Sequence, residues 1–150
     1  MSETHLSSEN MSVTPPIILV SACLVGIACR YDGESINSPE CLEELDRRNA
    51  IWIPFCPEQL GGLPTPRTAA NIINGDGEDV LNGTSTVTTR TGLDVTEQFL
   101  HGARQVLEIA LQQKTEAVFL KARSPSCAVN DRIGVTAALL ARNGYRLQEF

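Results

Sequence analysis

The chain has 150 residues, a net charge of −6 and five cysteines. This length is sufficient for one domain with a substantial core, and the negative charge argues against non-specific binding to nucleic acid or to a membrane surface. No apolar run is long enough to span a bilayer, and the polar N-terminus has no signal-peptide core. We therefore predict a cytoplasmic protein with a disordered tail over residues 1–16 and one α/β domain over residues 17–150.

The first predicted strand, Ile17–Val20, leads into Cys23. Short apolar runs that are rich in β-branched residues are typical of the buried strands of a parallel sheet. A helix is predicted to begin after Ser38, because serine is a favoured N-cap and proline is favoured at the first helical position. Cys41 shares the apolar face of this helix with Leu45, so we expect it to pack in the core.

The second predicted strand, Ala50–Phe55, leads directly into Cys56. Glycine and proline are frequent in residues 59–67, and these residue types disfavour regular structure. We therefore predict a buried strand followed by a shaped loop at the same edge of the sheet.

A β-hairpin is predicted around Asn82-Gly83, which separates the β-prone runs Val80-Leu81 and residues 85–88. A long amphipathic helix is then predicted over residues 94–113, with Asp94 as its cap, because apolar residues recur there at helical spacing. His101 lies off the apolar stripe, so we expect it to be solvated.

The third predicted strand, Ala117–Leu120, precedes Cys127. A last helix is expected to end at Asn143-Gly144, and Tyr145–Leu147 has the pattern of an edge strand. This order of elements predicts a single-domain α/β fold: a parallel, Rossmann-like sheet flanked by helices, with a small β-hairpin insertion.

Three of the cysteines, Cys23, Cys56 and Cys127, thus follow three predicted strands. Ligands of open α/β sheets bind beyond the carboxyl ends of the strands, so these thiols are expected to meet at one edge. Thiolates are the usual ligands of iron–sulfur clusters, and three of them leave one iron open. A zinc site with three cysteines is the second interpretation, although the chain lacks the closely spaced C-x₂₋₄-C pairs of structural zinc sites.

A third interpretation is a phosphatase-like loop that runs from Cys23 to Arg30. The phosphate-binding loop of low-molecular-weight phosphatases has the spacing C-x₅-R, whereas this chain has C-x₆-R. One extra residue displaces the arginine, which disfavours this interpretation.

Several longer motifs carry a resemblance to a known family. They are Ser-Ala-Cys-Leu at residues 21–24, Cys-Pro-Glu-Gln-Leu-Gly-Gly-Leu-Pro-Thr-Pro-Arg at 56–67, Gly-Leu-Asp-Val-Thr-Glu-Gln-Phe-Leu-His-Gly-Ala at 92–103, Leu-Lys-Ala-Arg-Ser-Pro-Ser-Cys at 120–127 and Gly-Val-Thr-Ala at 134–137. In these motifs the chain resembles the DUF523 family, which includes thiouracil desulfidases, and the match covers nearly all residues from Ile17 onward.

The resemblance implies a [4Fe-4S] cluster held by Cys23, Cys56 and Cys127, with Cys29 not assigned as a ligand. It implies non-redox removal of sulfur from a thiolated pyrimidine of the 2-thiouracil or thiouridine type, with release of hydrosulfide. The residues that it places near the cluster have expected roles. Glu58 is expected to shuttle protons, Ser124 and Ser126 to hydrogen-bond cluster sulfurs or substrate, and Arg30 and Arg67 to bind substrate. Because the chain is acidic, we expect a free base or nucleoside as its partner rather than a nucleic acid or a membrane.

The chain departs from the family pattern directly after Cys127. Members of the family continue into Gly-Ser-Gly and a Tyr-Asp-Gly hairpin, whereas residues 128–133 here read Ala-Val-Asn-Asp-Arg-Ile. The alternative hypothesis is therefore a non-catalytic or differently acting cluster- or metal-binding domain that has lost the cover of its active site.

Overall fold

The computed structural model describes residues 14–150, so the disordered tail predicted for residues 1–16 lies outside the described residues except for its last three positions. The strands are β1 (Ile17–Ser21), β2 (Ile51–Phe55), β3 (Ala70–Ile73), β4 (Thr86–Thr89), β5 (Ala117–Leu120) and β6 (Arg146–Glu149). The α-helices are α1 (Pro39–Arg47), α2 (Pro57–Leu60), α3 (Gly77–Leu81), α4 (Thr96–Gln112) and α5 (Val135–Arg142), and a 3₁₀-helix spans Ala22–Val25. Within residues 14–150, no helix has the length and apolarity needed to cross a membrane.

Four strands form a parallel sheet in the order β2-β1-β5-β6. Side chains alternate between the two faces of each strand, so Ile18 and Val20 pack with α1 while Leu19 packs against α4 and α5. Helices therefore cover both faces of the central strands. The predicted parallel α/β fold is confirmed, and so is the edge strand expected near the C-terminus.

The prediction that the second strand is buried was wrong, because β2 lies at the edge of the sheet. Ile51 is 53% exposed and Trp52 is 39% exposed. Pro54 explains the position: proline has no N–H group to donate, so it is found on edge strands rather than in the middle of a sheet. A short apolar run alone does not distinguish the two positions.

The small hairpin is confirmed as an antiparallel pair of β3 and β4, but its connection differs from the prediction. Val80-Leu81 belongs to helix α3 instead of a strand. The helix forms because Asp76 and Asp79 make a reciprocal capping box, in which each side chain accepts a hydrogen bond from the other residue's backbone N–H. Gly83, which was expected in the tight turn, follows the helix with a φ of 82°.

Two helix starts test the capping predictions. Ser38 caps α1 as expected, since its Oγ accepts a hydrogen bond from the N–H of Cys41 at 3.1 Å. Asp94 does not make the predicted capping box. Its Oδ1 accepts from the N–H of Thr96 at 2.9 Å, and α4 begins at that threonine.

Helix α2 is a single turn that begins before the predicted loop 59–67 and overlaps its first two residues. Close contact with α4 sets the position of α2. A Cβ atom at Gly102 would lie 1.9 Å from the carbonyl oxygen of Pro57, and one at Gly61 would lie 2.0 Å from the carbonyl oxygen of Gln98. Only glycine permits this approach. The contact matters for function because α2 begins directly after Cys56.

We predict that Gly102→Ala lowers the free energy of unfolding by about 1–3 kcal/mol, the usual cost of overpacking. The cost arises because the new methyl group meets the backbone of α2, and it outweighs the gain of about 1 kcal/mol in helix propensity. Urea denaturation measures the difference. The control is Arg104→Ala on the exposed side of the same helix, which should change stability by no more than about 0.5 kcal/mol. Equal stability of Gly102→Ala and the unsubstituted protein would contradict the close contact.

Candidate functional site

Three strand ends meet at the carboxyl edge of the parallel sheet and enclose one cavity of about 130 Å³. They meet because β1 pairs with both β2 and β5, so the segments that follow these strands are neighbours. All eight residues predicted from the sequence line this cavity: Cys23, Arg30, Cys56, Glu58, Arg67, Ser124, Ser126 and Cys127. The structure therefore brings the predicted site residues together.

Cys41 stays apart from this cavity. It is fully buried on α1 and packs with Leu45 and Ile18 in the core on one face of the sheet. The prediction that it is a core residue is confirmed. His101 is exposed on α4, also as expected.

Cys23 is held by its own backbone. The residue lies in the 3₁₀-helix that directly follows β1, and its carbonyl oxygen accepts hydrogen bonds from the N–H groups of Ile36 at 2.8 Å and Asn37 at 3.1 Å. These bonds attach the returning loop to the end of β1. The thiol is thereby fixed at the base of the cavity, where the side chain is only 7% exposed.

Glu58 connects two of the strand ends. It lies in the first turn of α2, and its side chain is 14% exposed. One carboxylate oxygen, Oε1, accepts from Nε of Arg67 at 2.8 Å, and the other, Oε2, accepts from Oγ of Ser126 at 3.1 Å. The carboxylate is therefore held between the segment after β2 and the segment after β5.

Ser124, Ser126 and Cys127 form a tight turn. Oγ of Ser124 accepts from the N–H groups of Ser126 at 3.2 Å and Cys127 at 3.1 Å. The two serine oxygens are 3.0 Å apart, and Oγ of Ser126 lies 3.7 Å from Sγ of Cys127. Gly134 packs against this turn so closely that a Cβ atom would lie 2.4 Å from the carbonyl carbon of Ser126. The turn thus directs the hydroxyl group of Ser126 toward Glu58 and Cys127, and Ser124 supports it from behind.

The thiols in the cavity have unequal acidities. A hydrogen bond between Cys23 and Cys29 lowers the pKa of Cys23, whereas burial raises the pKa of Cys127 to about 11. The hydrogen bond with Cys29, together with burial, also raises the pKa of Cys56. Both shifts favour the neutral thiol form of Cys56 and Cys127. Binding of a metal would remove their protons, because a coordinating thiol is held as thiolate.

Sequence reasoning missed several residues of the cavity. Cys29 is 3% exposed and hydrogen-bonds with both Cys23 and Cys56, and the bond with Cys23 is the main cause that raises the pKa of Cys29 to about 11. Lys121 and Arg123 also line the cavity. Both directly follow β5, so the same strand-end rule that selected the cysteines was a signal for them. No comparable signal existed for Cys29, because its position depends on the path of a loop.

Basic side chains surround the mouth of the cavity. Arg30, Arg67, Lys121 and Arg123 line it, whereas Glu58 is the one carboxylate that residues 14–150 contribute to the lining. Arg67 is buried against the protein, while Arg30 is about one-third exposed and lies 3.6 Å from Asp32 and over the ring of Tyr31. Burial lowers the pKa of Lys121. This concentration of positive charge contrasts with the net charge of −6 of the whole chain.

Among residues 14–150, no three histidine, cysteine, aspartate or glutamate side chains are grouped closely enough to hold a single metal ion. Cys23, Cys56 and Cys127 nevertheless share one cavity. A cluster of several irons binds its thiolates at separate corners and so accepts ligands that are further apart than those of one tetrahedral ion. Thiolates are the usual ligands of iron–sulfur clusters, so the chemistry of this donor set fits such a cluster.

Comparisons with known proteins agree with this arrangement. The model of the 2-thiouracil desulfurase family matches residues 18–149. An uncharacterized protein of Bacillus subtilis (strain 168), YbbK, is 45% identical over 143 residues, which covers 87% of this chain and 93% of that protein. A solved structure, the [4Fe-4S]-dependent thiouracil desulfidase TudS, superposes with a TM-score of 0.74 at 36% identity and covers 89% of this chain and 90% of its own.

The short segment after Cys127 is attached to the end of β6. Oε2 of Glu149 accepts from the N–H groups of Val129 at 2.7 Å and Asn130 at 3.1 Å, and Oε1 accepts from the amide of Asn130 at 2.9 Å. Partial burial opposes ionisation of Glu149, but these hydrogen bonds outweigh it and lower the pKa of the carboxyl group. Glu149 thus stabilises the loop that leaves the site.

We predict a pH-dependent cost for Glu149→Gln. Because the pKa is lower in the folded protein, the carboxylate contributes stability above the pKa of an unfolded glutamate, about 4.3. That contribution is lost as the pH falls through the folded pKa. Urea denaturation at pH 7 should show a loss of about 1 kcal/mol, as expected for hydrogen bonds to a partly exposed charge. The difference should shrink as the pH is lowered below about 4.

The control for this measurement is Glu116→Gln, which changes an exposed carboxylate that forms no side-chain hydrogen bond or ion pair within residues 14–150. It should leave stability unchanged at both pH values. A cost for Glu149→Gln that is equally large at low pH would show that the charge is not what holds the loop.

Proposed function

The chain belongs to the 2-thiouracil desulfurase family, and we propose that it replaces the sulfur of a thiolated pyrimidine, of the 2-thiouracil or thiouridine type, with oxygen from water. Water adds to the carbon of the C=S group, the sulfur leaves as hydrosulfide, and no electrons are exchanged. The observation that carries this proposal is the cavity in which Cys23, Cys56 and Cys127 lie beside Glu58. It combines soft ligands with a group that can accept and donate protons.

Cys23, Cys56 and Cys127 would hold a [4Fe-4S] cluster. Support comes from the three thiols in one cavity and from the likeness to TudS. Bound by three thiolates, such a cluster supplies an open iron that acts as a Lewis acid toward the sulfur of the substrate. All five cysteines are free thiols, as a reducing compartment such as the cytoplasm would keep them.

Glu58 would act as the general acid–base. Its Oε1 is occupied by Arg67, whereas Oε2 is held by a hydroxyl donor, Ser126, which can be replaced by water or substrate during the reaction. A carboxylate in this position can take a proton from the attacking water and return one to the leaving sulfur. Ser126 would keep Oε2 of Glu58 and Sγ of Cys127 in register, because its hydroxyl group contacts both, and Ser124 would hold the hydroxyl group of Ser126 in place.

Arg30, Lys121 and Arg123 would face the polar edge of the substrate. They are the basic groups of the cavity other than Arg67, and their positive charge suits the electronegative oxygen and nitrogen atoms of a pyrimidine or an anionic substituent on it. The same cavity of about 130 Å³ would also hold the cluster, so the space beside the cluster suits only a small substrate. A small molecule is therefore the substrate that we propose.

We predict that anaerobic reconstitution loads iron and acid-labile sulfide, and that Cys23→Ser, Cys56→Ser and Cys127→Ser each abolish loading. The matched control is Cys41→Ser, since this cysteine is also shielded from solvent but does not line the cavity. It should retain iron. Metal analysis and the visible absorption of the cluster provide the measurement. Stoichiometric zinc without iron, or equal loss of iron in Cys41→Ser, would overturn the assignment.

We also predict that Glu58→Gln keeps the cluster and loses desulfidase activity by about 10²–10⁴-fold, the range typical of a lost general acid–base. The assay is hydrosulfide release from 2-thiouracil and from thiouridine under anaerobic conditions. Glu43→Gln, at an exposed position of α1, is the control and should retain full activity. Full activity of Glu58→Gln would remove this residue from the mechanism.

The same assay separates the proposal from its alternative. An iron-loaded protein that releases no hydrosulfide from either the bases or the nucleosides would favour a non-catalytic cluster-binding domain. The short segment at residues 128–133 would then be the first region to lengthen.

A further inference from the structure

Arg67 lines the cavity, yet protein atoms already accept from its entire guanidinium group. Nε donates to Glu58, and Nη1 donates to the carbonyl of Pro64 at 3.1 Å and to Oγ1 of Thr65 at 3.0 Å. Nη2 donates to the carbonyl of Cys29 at 2.9 Å and lies 3.9 Å from Sγ of Cys56. A guanidinium has five N–H donors, so these contacts leave none for a substrate.

Two of the contacts of Arg67 are with functional groups that follow β2. One is the carboxylate of Glu58, bound at 2.8 Å, and the other is the sulfur of Cys56. The arginine side chain is only 7% exposed and that of Glu58 only 14%, so water does not replace this ion pair easily. Charge-assisted hydrogen bonds in such surroundings are short and directional, and they fix the geometry of the carboxylate.

We propose that Arg67 is a positioning residue for the reaction and does not bind substrate. It holds Oε1 of Glu58, so that Oε2 remains the oxygen available for proton transfer. It also donates toward the sulfur of Cys56, which withdraws electron density from that ligand. The inference rests on the proposed desulfidase function.

The shape of the guanidinium is essential to this role. Its planar fork reaches Glu58, the loop at residues 64–65 and the carbonyl of Cys29 at the same time. Lysine keeps the positive charge but is a single point donor on a flexible stem, and it cannot span these acceptors together. Arg67→Lys therefore tests orientation without removing the charge.

The experiment compares Arg67→Lys with the unsubstituted protein, both loaded with iron, in hydrosulfide release from 2-thiouracil. We expect kcat to fall about 10–100-fold, as is typical when a group that orients a metal site is changed. KM should stay unchanged, because no substrate contact is lost. The reduction potential of the cluster should become more negative, since a hydrogen bond to a ligand sulfur raises it.

The control is Arg142→Lys. Arg142 makes a similar ion pair with Glu78 at 2.7 Å, but on the surface between α3 and α5. Its replacement should leave kcat, KM and the potential unchanged. A rise in KM for Arg67→Lys at unchanged kcat would identify a substrate contact and overturn the proposal. An unchanged potential would overturn the role toward Cys56.

A double-mutant cycle with Glu58→Gln decides whether Arg67 acts through the carboxylate. In the Glu58→Gln background, Arg67→Lys should lower kcat by less than about threefold, because the group that it orients is already lost. Additive effects would overturn the role toward Glu58. If Arg67→Lys does not load iron, Thr65→Val takes its place, because this substitution removes one hydrogen-bond acceptor of Arg67. A lower kcat at unchanged KM in Thr65→Val would support the proposal. A higher KM would overturn it.

Failure of this inference can be told from failure of the proposed function. An iron-loaded, unsubstituted protein that releases no hydrosulfide from 2-thiouracil would refute the function. The reduction potential of Arg67→Lys would still test the contact with Cys56, since that measurement needs no turnover.

Discussion

Parallel pairing of β1 with both β2 and β5 is the constraint on which the site depends. Three segments that are distant in sequence become neighbours only because these strands lie side by side and run in the same direction. Ladder hydrogen bonds and the apolar side chains on both faces supply most of this order, and Cys23 and Cys127 pack at the border of the core. Glu58 is not part of the core, and polar groups can be concentrated at the sheet edge.

A second level of organisation joins the strand ends to one another. Glu58 connects the segment after β2 to the turn after β5 through Ser126, and Arg67 connects it to the loop after β1 through the carbonyl of Cys29. The close contact between α2 and α4 at Gly61 and Gly102 sets the position of α2, the helix that contains Glu58. The segments that follow β1, β2 and β5 are thus joined to one another by side-chain contacts as well as by the sheet.

The sequence predicted the location of the site better than its internal contacts. Strand ends could be recognised because short apolar runs precede Cys23, Cys56 and Cys127, and the topology of a parallel sheet then brings them together. The edge position of β2 and the helix in the hairpin connection were missed, although Pro54 and the acidic pair of α3 were signals for them. The hydrogen bonds of Arg67 and the position of Cys29 depend on how loops fold over the edge, and no local pattern encodes that path.

Under the proposed function, the distribution of polar groups in the cavity determines how a substrate would be oriented when it enters. Cys23 and Cys127 lie at its buried end, each less than one-tenth exposed, whereas Arg30 and Arg123 lie toward solvent. A thiolated pyrimidine has one soft, weakly hydrated sulfur and a ring edge of hydrogen-bonding oxygen and nitrogen atoms. Burial favours the sulfur at the thiol end, and the basic groups favour the polar edge at the mouth. The reacting carbon would then lie between them, at the level where Oε2 of Glu58 meets Ser126.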